Sequence, residues 1–179
     1  RRHPDDRPVA GCPDRRQRPD LLLVSTNLVD AIEHKFWRYY EPARFTGVTP
    51  AEIADFGDTI PRAYVHVDGE LGALLAEVPS DTVVLVVSDH GHHAAHTDGV
   101  FSGEHGDAPP GILVAAGPGT RVGAHIEGAS LLDVAPTVLA ILGLPVADDM
   151  PGRVLHELFT TPLQVARVPT YGDLVAVAP

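Results

Sequence analysis

Two short apolar runs with a long polar loop between them constrain this chain most. Val83–Val87 reads VVLVV, five apolar residues without a polar interruption. Such a run is too short for a buried helix and has no polar alternation, so it predicts a strand covered on both faces, as in the centre of a parallel sheet. Gly111–Ala116 (GILVAA) predicts a second buried strand, ended by the turn Gly117-Pro118-Gly119. Between them, residues 88–109 (SDHGHHAAHTDGVFSGEHGDAP) hold five histidines and four glycines. Folds that alternate strands and helices place their sites in the loops at strand ends, so this loop is where chemistry is expected.

The remaining segments fit that layout. Residues 1–19 carry six arginines, three aspartates and four prolines without periodicity, and are expected to be a flexible tail or surface loop. The domain proper is taken as 20–179. Leu21–Val24 predicts a first buried strand and Val29–Tyr40 a helix that stops before Pro42. Within 41–58, Thr49-Pro50-Ala51-Glu52 has the pattern of a capping box with proline in the first turn, predicting a short helix to about Asp55. Ile60, Tyr64, Val67, Leu71, Leu74 and Val78 recur at helical spacing, although Gly69 and Gly72 weaken that helix. Leu131–Leu142 predicts a further helix, capped near Ser130 or Asp133 and ended by Gly143 and Pro145. Val154–Phe159 suits one more turn, and the last fifteen residues a short strand or tail. Strand–helix–strand alternation argues for an α/β layer fold.

Composition excludes several classes of function. Thirteen basic against 24 acidic residues give a net charge of −11, which argues against a nucleic-acid-binding face. No run approaches the roughly 18–20 apolar residues of a membrane span. The lone cysteine, Cys12, excludes an internal disulfide and a multi-cysteine zinc site. The chain opens on Arg1 rather than methionine, so it is expected to be a processed product or a piece of a longer protein. The single cysteine and the lack of an apolar leader favour a cytoplasmic setting.

The residues with metal chemistry fall into two pairs and a single histidine. Asp89 and His90 leave the strand Val83–Val87 side by side and are followed by Gly91. A carboxylate oxygen and an imidazole nitrogen together suit zinc or manganese. Asp30 and His34 stand four apart on the predicted helix, which puts both on one face, able to share an ion. His105, between Gly103 and Gly106, lies fifteen residues beyond His90. Each pair alone also fits a surface ion pair or turn chemistry. Their common position after strands of one sheet shifts the weight towards a site. His92, His93 and His96 crowd the same loop as candidates for contacting substrate or orienting a ligand. Trp37 and its neighbours Phe36, Tyr39 and Tyr40 could stack on a substrate ring, or pack around the helix.

In this order the segments resemble the alkaline phosphatase superfamily, and most closely its type I phosphodiesterase/nucleotide pyrophosphatase branch. Ser88-Asp89-His90-Gly91 after an apolar strand, Asp30-x-x-x-His34-x-x-Trp37, and Gly103-Glu-His105-Gly carry the resemblance. Gly111–Gly119, Asp133–Pro145 and Met150-Pro-Gly152 extend it. It implies an alkaline phosphatase-like α/β fold, a mostly parallel central sheet flanked by helices, of which residues 20–179 are the C-terminal part, incomplete at the N-terminus. It further implies two divalent metal ions, usually zinc, with manganese or iron as substitutes. Asp30, His34 and His105 would hold one, and Asp89 and His90 would help hold the other. Two such ions would restore local positive charge in an acidic chain and stabilise an in-line displacement at phosphorus.

The expected activity is metal-dependent hydrolysis of a small phosphoester, a phosphodiester or nucleotide pyrophosphate. The family's nucleophile, a threonine or serine with a further aspartate ligand, has no counterpart here, because Ser25 and Thr26 do not match its motif and read as polar residues at a strand end. The nucleophile is therefore expected upstream, and the isolated chain is expected to be inactive. The alternatives are a sister activity on the same scaffold (phosphomutase, phosphonate hydrolase or sulfatase), or a truncated metal-binding fragment without turnover.

Overall fold

The computed structural model describes residues 19–95 and 99–172. The elements, in chain order, are α1 (Leu28–Tyr40), α2 (Pro50–Phe56), α3 (Thr59–Glu77), β1 (Val84–Val87), β2 (His93–Ala94), β3 (Gly103–Glu104), β4 (Leu113–Ala116), α4 (Val134–Ile141), β5 (Val146–Ala147) and β6 (Arg167–Val168). Among the described residues the strands form three two-stranded sheets, β1 with β4, β2 with β3 and β5 with β6. The chain divides into two compact units, one of residues up to Pro79 with Val87–Ile112, the other of Ser80–Val86 with residues from Leu113 on.

In the first unit, α1 is the organising element. Its N-terminal turn takes the Thr26 hydroxyl as an acceptor for the Leu28 N–H at 3.3 Å, and its last N–H bond, from Glu41 to Trp37, closes before Pro42. The α1 helix packs on α3 and on the β2–β3 hairpin. The expected capping box of α2 is present in both directions. The Glu52 N–H donates to the Thr49 hydroxyl at 3.3 Å, and the Thr49 N–H donates to the Glu52 carboxylate at 2.8 Å. Phe56 of α2 lies against Phe36 and Tyr39, with ring centroids 5.8 and 5.2 Å apart. Those two aromatics are therefore used in packing. The α3 helix runs unbroken through Gly69 and Gly72, with Ile60 and Ala63 buried. The β2–β3 hairpin is antiparallel, His93 opposite Glu104 and Ala94 opposite Gly103.

The expected strand at Leu21–Val24 is a correction: the segment is irregular, and Leu23 is 87% exposed. An apolar run records a preference for burial, but a strand exists only through pairing with a neighbour, and no other described segment pairs with this one.

The second unit buries its core around Leu155, Leu158 and Phe159, with Val83, Leu85, Leu113, Ala115, Ile126, Ile141 and Leu163 packed on them. A second cluster joins Ala140, Val146 and Val154. The predicted helix over 131–142 begins as a 3₁₀ turn, Leu131–Asp133, and continues as α4. Its two candidate caps act together: Ser130 and Asp133 form one reciprocal capping box. Asp133 is buried and spends both carboxylate oxygens on backbone N–H groups, Ser130 at 2.8 Å and Arg153 at 2.7 Å. Burial alone would raise its pKa, but the N–H groups of Arg153 and Ser130 outweigh it and the net shift is downwards. Thr137 likewise accepts the Leu155 N–H at 3.0 Å. Between those anchors Gly152 runs so close to the Leu132 carbonyl that a Cβ would fall on it, which accounts for glycine there.

Candidate metal centre

All the metal-ligating candidates of the described residues lie within the first unit. Helical spacing puts Asp30, Glu33, His34 and Trp37 on one face of α1. The loop after β1 brings His90 and His92, and the segment after β3 brings His105. Ligand atoms of Asp30, His34 and His105 lie within 4.8 Å of one another, and so do those of Asp30, His90 and His92. The rings themselves are close: His34–His92 at 4.6 Å, His34–His105 at 5.2 Å and His90–His105 at 4.1 Å between centroids.

Asp89 stands apart from both groups. Its carboxylate is 3.7 Å from His90 Nε2, but among the described residues no group of three ligand atoms includes it. His93 points its Nδ1 at the Ala94 carbonyl, 2.8 Å away. His96 lies outside the described residues. Trp37 lies flat against His92, 5.9 Å between centroids and 20° between planes, and donates its indole N–H to Glu41 at 3.0 Å.

The backbone holds the imidazoles in a defined state. His34 Nδ1 donates to the Gly103 carbonyl at 2.8 Å, which leaves the Nε2 lone pair of the neutral ring, 3.5 Å from Asp30 Oδ1. His90 Nδ1 makes the same kind of bond to the Gly91 carbonyl at 3.0 Å. The hairpin reaches His34 because β3 lies directly on α1. A Cβ on Gly103 would fall on the Glu33 carbonyl oxygen. Buried Ser102 locks the contact. Its hydroxyl donates to the Lys35 carbonyl and accepts the Arg38 N–H, both at 3.1 Å, and its own N–H donates to the His34 carbonyl at 2.6 Å.

Sequence reasoning assigned no role to Glu33, Tyr64 or Ser102. Glu33 is 6% exposed. Burial raises its pKa, opposed by the Tyr64 hydroxyl, which donates to it at 3.0 Å. Burial and the Glu33 carboxylate push the Tyr64 hydroxyl up to about 12. His92 is held down to about 4, first by burial and then by the neighbouring His34, so its imidazole is neutral at physiological pH. A legible signal for Glu33 was its position three residues after Asp30, on the face that carries His34.

The site fits a divalent cation on its own chemistry. Asp30 Oδ1 and His92 Nε2 are closed off from solvent with no hydrogen-bond partner. Buried polar atoms in that state cost about 1–3 kcal/mol each unless something binds them. One carboxylate and several imidazoles with fixed tautomers are a zinc-type donor set.

Comparison with known proteins places the chain in a family. The family model for type I phosphodiesterase / nucleotide pyrophosphatase matches residues 4–130. The chain belongs to that family, within the alkaline phosphatase superfamily, whose fold is α/β and whose members use divalent metals. Curated relatives include 2,3-bisphosphoglycerate-independent phosphoglycerate mutases. That of Laribacter hongkongensis is 33% identical over 114 residues, 63% of this chain and 21% of the relative. That of Paracoccus denitrificans is 33% identical over 142 residues, 74% of this chain and 26% of the relative. That of Cellvibrio japonicus is 38% identical over 106 residues, 56% of this chain and 20% of the relative. The chain thus spans about a fifth to a quarter of the length of these relatives. No solved structure gives a significant match.

Proposed function

We propose that this chain carries the metal-binding part of a phosphoryl-transfer site that acts on a small phosphate ester. One observation carries the reading: Asp30, His34 and His105, from segments far apart in sequence, bring ligand atoms within 4.8 Å of one another. Asp30, His34 and His105 would hold one divalent ion, zinc by donor type, and His90 would contribute to a second, with Asp89 beside it. Such ions, when bound, supply positive charge that neutralises the phosphoryl oxygens and the leaving oxygen. The chain's own residues supply the frame. The Gly103 and Gly91 carbonyls hold the His34 and His90 tautomers, and Ser102 pins the hairpin to α1.

The attacking group is proposed to come from sequence outside these 179 residues, for which the relatives' greater length leaves room. The hydroxyls next to the site are otherwise engaged. Ser88 donates to the His90 carbonyl at 2.6 Å, the Thr26 hydroxyl accepts the Leu28 N–H at 3.3 Å, and Ser102 is buried in the hairpin contact. The isolated chain should therefore bind metal without turnover. The mostly parallel central sheet is likewise proposed for the longer protein, with β1 and β4 as two of its strands.

Two outcomes of phosphoryl transfer remain distinct. The family description favours water as acceptor, giving a phosphodiesterase or pyrophosphatase. The relatives' names favour a second hydroxyl of the substrate, giving a phosphomutase. Hydrolysis of bis(p-nitrophenyl) phosphate against isomerisation of phosphoglycerate by the full-length protein separates them. The reading itself is tested on this chain by zinc content after desalting and by calorimetry with inorganic phosphate. Retained zinc, phosphate binding that needs it, and loss of an ion in His105→Ala support the site. A folded chain that holds no zinc refutes it.

A further inference from the structure

Asp30 Oδ1 is closed off from solvent and has no hydrogen-bond partner among the described residues, although a donor stands close by. His92 Nδ1 lies 3.9 Å from it. That nitrogen has a nearer acceptor, Glu33 Oε2, at 3.3 Å. One imidazole N–H therefore faces two carboxylates and goes to Glu33. The His92 ring has little freedom to leave this position, because its side chain is 2% exposed and lies flat against Trp37. Glu33 is buried as well, and a buried carboxylate is costly unless it is paired. The Tyr64 hydroxyl donates to Oε1 at 3.0 Å, which leaves Oε2 for His92. The oxygen that stays free in consequence is the one a cation needs. Asp30 Oδ1 lies 3.5 Å from His34 Nε2, so it faces the ion proposed for Asp30, His34 and His105. An N–H seated on that oxygen would withdraw its charge and fill the space of the ion.

We propose that Glu33 is a positioning residue that draws the His92 N–H away from Asp30 and so keeps Asp30 Oδ1 open to the ion. The proposal deepens the phosphoryl-transfer reading and rests on it. Glu33 acts through His92, and Tyr64 secures the oxygen that His92 does not use.

The test measures zinc affinity of the 179-residue chain against a competing chelator, for the ion that His105→Ala removes, with elemental mass spectrometry for ions per chain. Glu33→Leu takes away the acceptor at little change in size, and should hold that ion about 10–100-fold more weakly at an unchanged ion count. Adding His92→Phe, which keeps a ring on Trp37 but has no N–H to offer Asp30, should restore most of the lost affinity. A purely structural role for Glu33 predicts the opposite, a double variant weaker than either single one. If His92→Phe fails to fold, His92→Met, which also lacks the N–H, takes its place. Parental affinity in Glu33→Leu, no recovery in the double variant, or loss of an ion in His92→Phe, which would make that histidine a ligand, each overturn the proposal and leave the phosphoryl-transfer reading intact. A parent chain that binds no ion overturns both.

Discussion

Gly103→Ala is the substitution that most directly connects backbone packing to the candidate metal centre. The added Cβ falls on the Glu33 carbonyl oxygen and within 3.2 Å of the Trp37 ring. The severe clash is with the Glu33 backbone, which cannot swing aside like the end of a side chain, so β3 must move away from α1. Overpacking of this kind costs about 1–3 kcal/mol. The displacement also removes the bond from His34 Nδ1 to the Gly103 carbonyl, about 1 kcal/mol more. Stability should therefore fall by about 2–4 kcal/mol, read by urea unfolding of the metal-free chain. The loss should carry a second signature. His34 loses the acceptor that fixes its tautomer, and removing such a partner weakens metal binding by about 10–100-fold. Zinc affinity measured against a competing chelator, at a temperature where the variant is folded, reads this separately. A variant that binds zinc within twofold of the parent would show that the Gly103 carbonyl does not orient His34. One that also unfolds at the parent's urea midpoint would show that β3 does not lie on α1 as described.

Other consequences are equally direct. Leu155→Ala empties a fully buried position at the centre of the second unit's core and should cost about 2–5 kcal/mol by urea unfolding; a loss below 1 kcal/mol would mean that core is not packed. Gly72→Ala should raise stability by about 0.5–1 kcal/mol, because the position is helical and a Cβ there meets nothing within 4 Å; a lower melting temperature would contradict the continuity of α3. For His92, burial and then His34 lower the pKa from 6.5 to about 4. The folded value is below the unfolded one, so as pH falls the unfolded chain takes up the proton first. The contribution is complete above about pH 6.5 and is lost between there and about pH 4. The full linkage is about 3 kcal/mol, and water beside the partly exposed His34 and His90 rings relieves part of the desolvation and of the repulsion from His34, leaving about 1–2 kcal/mol. Metal-free parent should lose that much more stability than His92→Gln between pH 7 and 4.5, and equal losses would rule the linkage out.

What the sequence made legible follows from how local each signal is. The cap of α2 lies within four consecutive residues, and the apolar period of α3 within one helix, so both could be read without tertiary knowledge. The VVLVV and GILVAA runs likewise carry their preference in composition, and they became β1 and β4. Leu21–Val24 has the same composition but no pairing partner among the described residues, and composition alone could not reveal that. The metal centre divides along the same line. Asp30 and His34 are legible because four residues on a helix fix their relation whatever surrounds them. Glu33 is different. Spacing places it on the face that carries His34, but its burial depends on Tyr64, 31 residues further along the chain, and on His92 in another loop, which spacing does not announce. The same holds for Ser102 and Gly103, whose partners on α1 are more than sixty residues away. A candidate metal-ligating histidine can thus be proposed from its neighbours in sequence, but what holds its tautomer is a tertiary property. The two kinds of residue call for different tests. Ligands are tested by counting ions. The supporting residues are tested by affinity at constant stoichiometry, and that contrast distinguishes His105→Ala from Gly103→Ala.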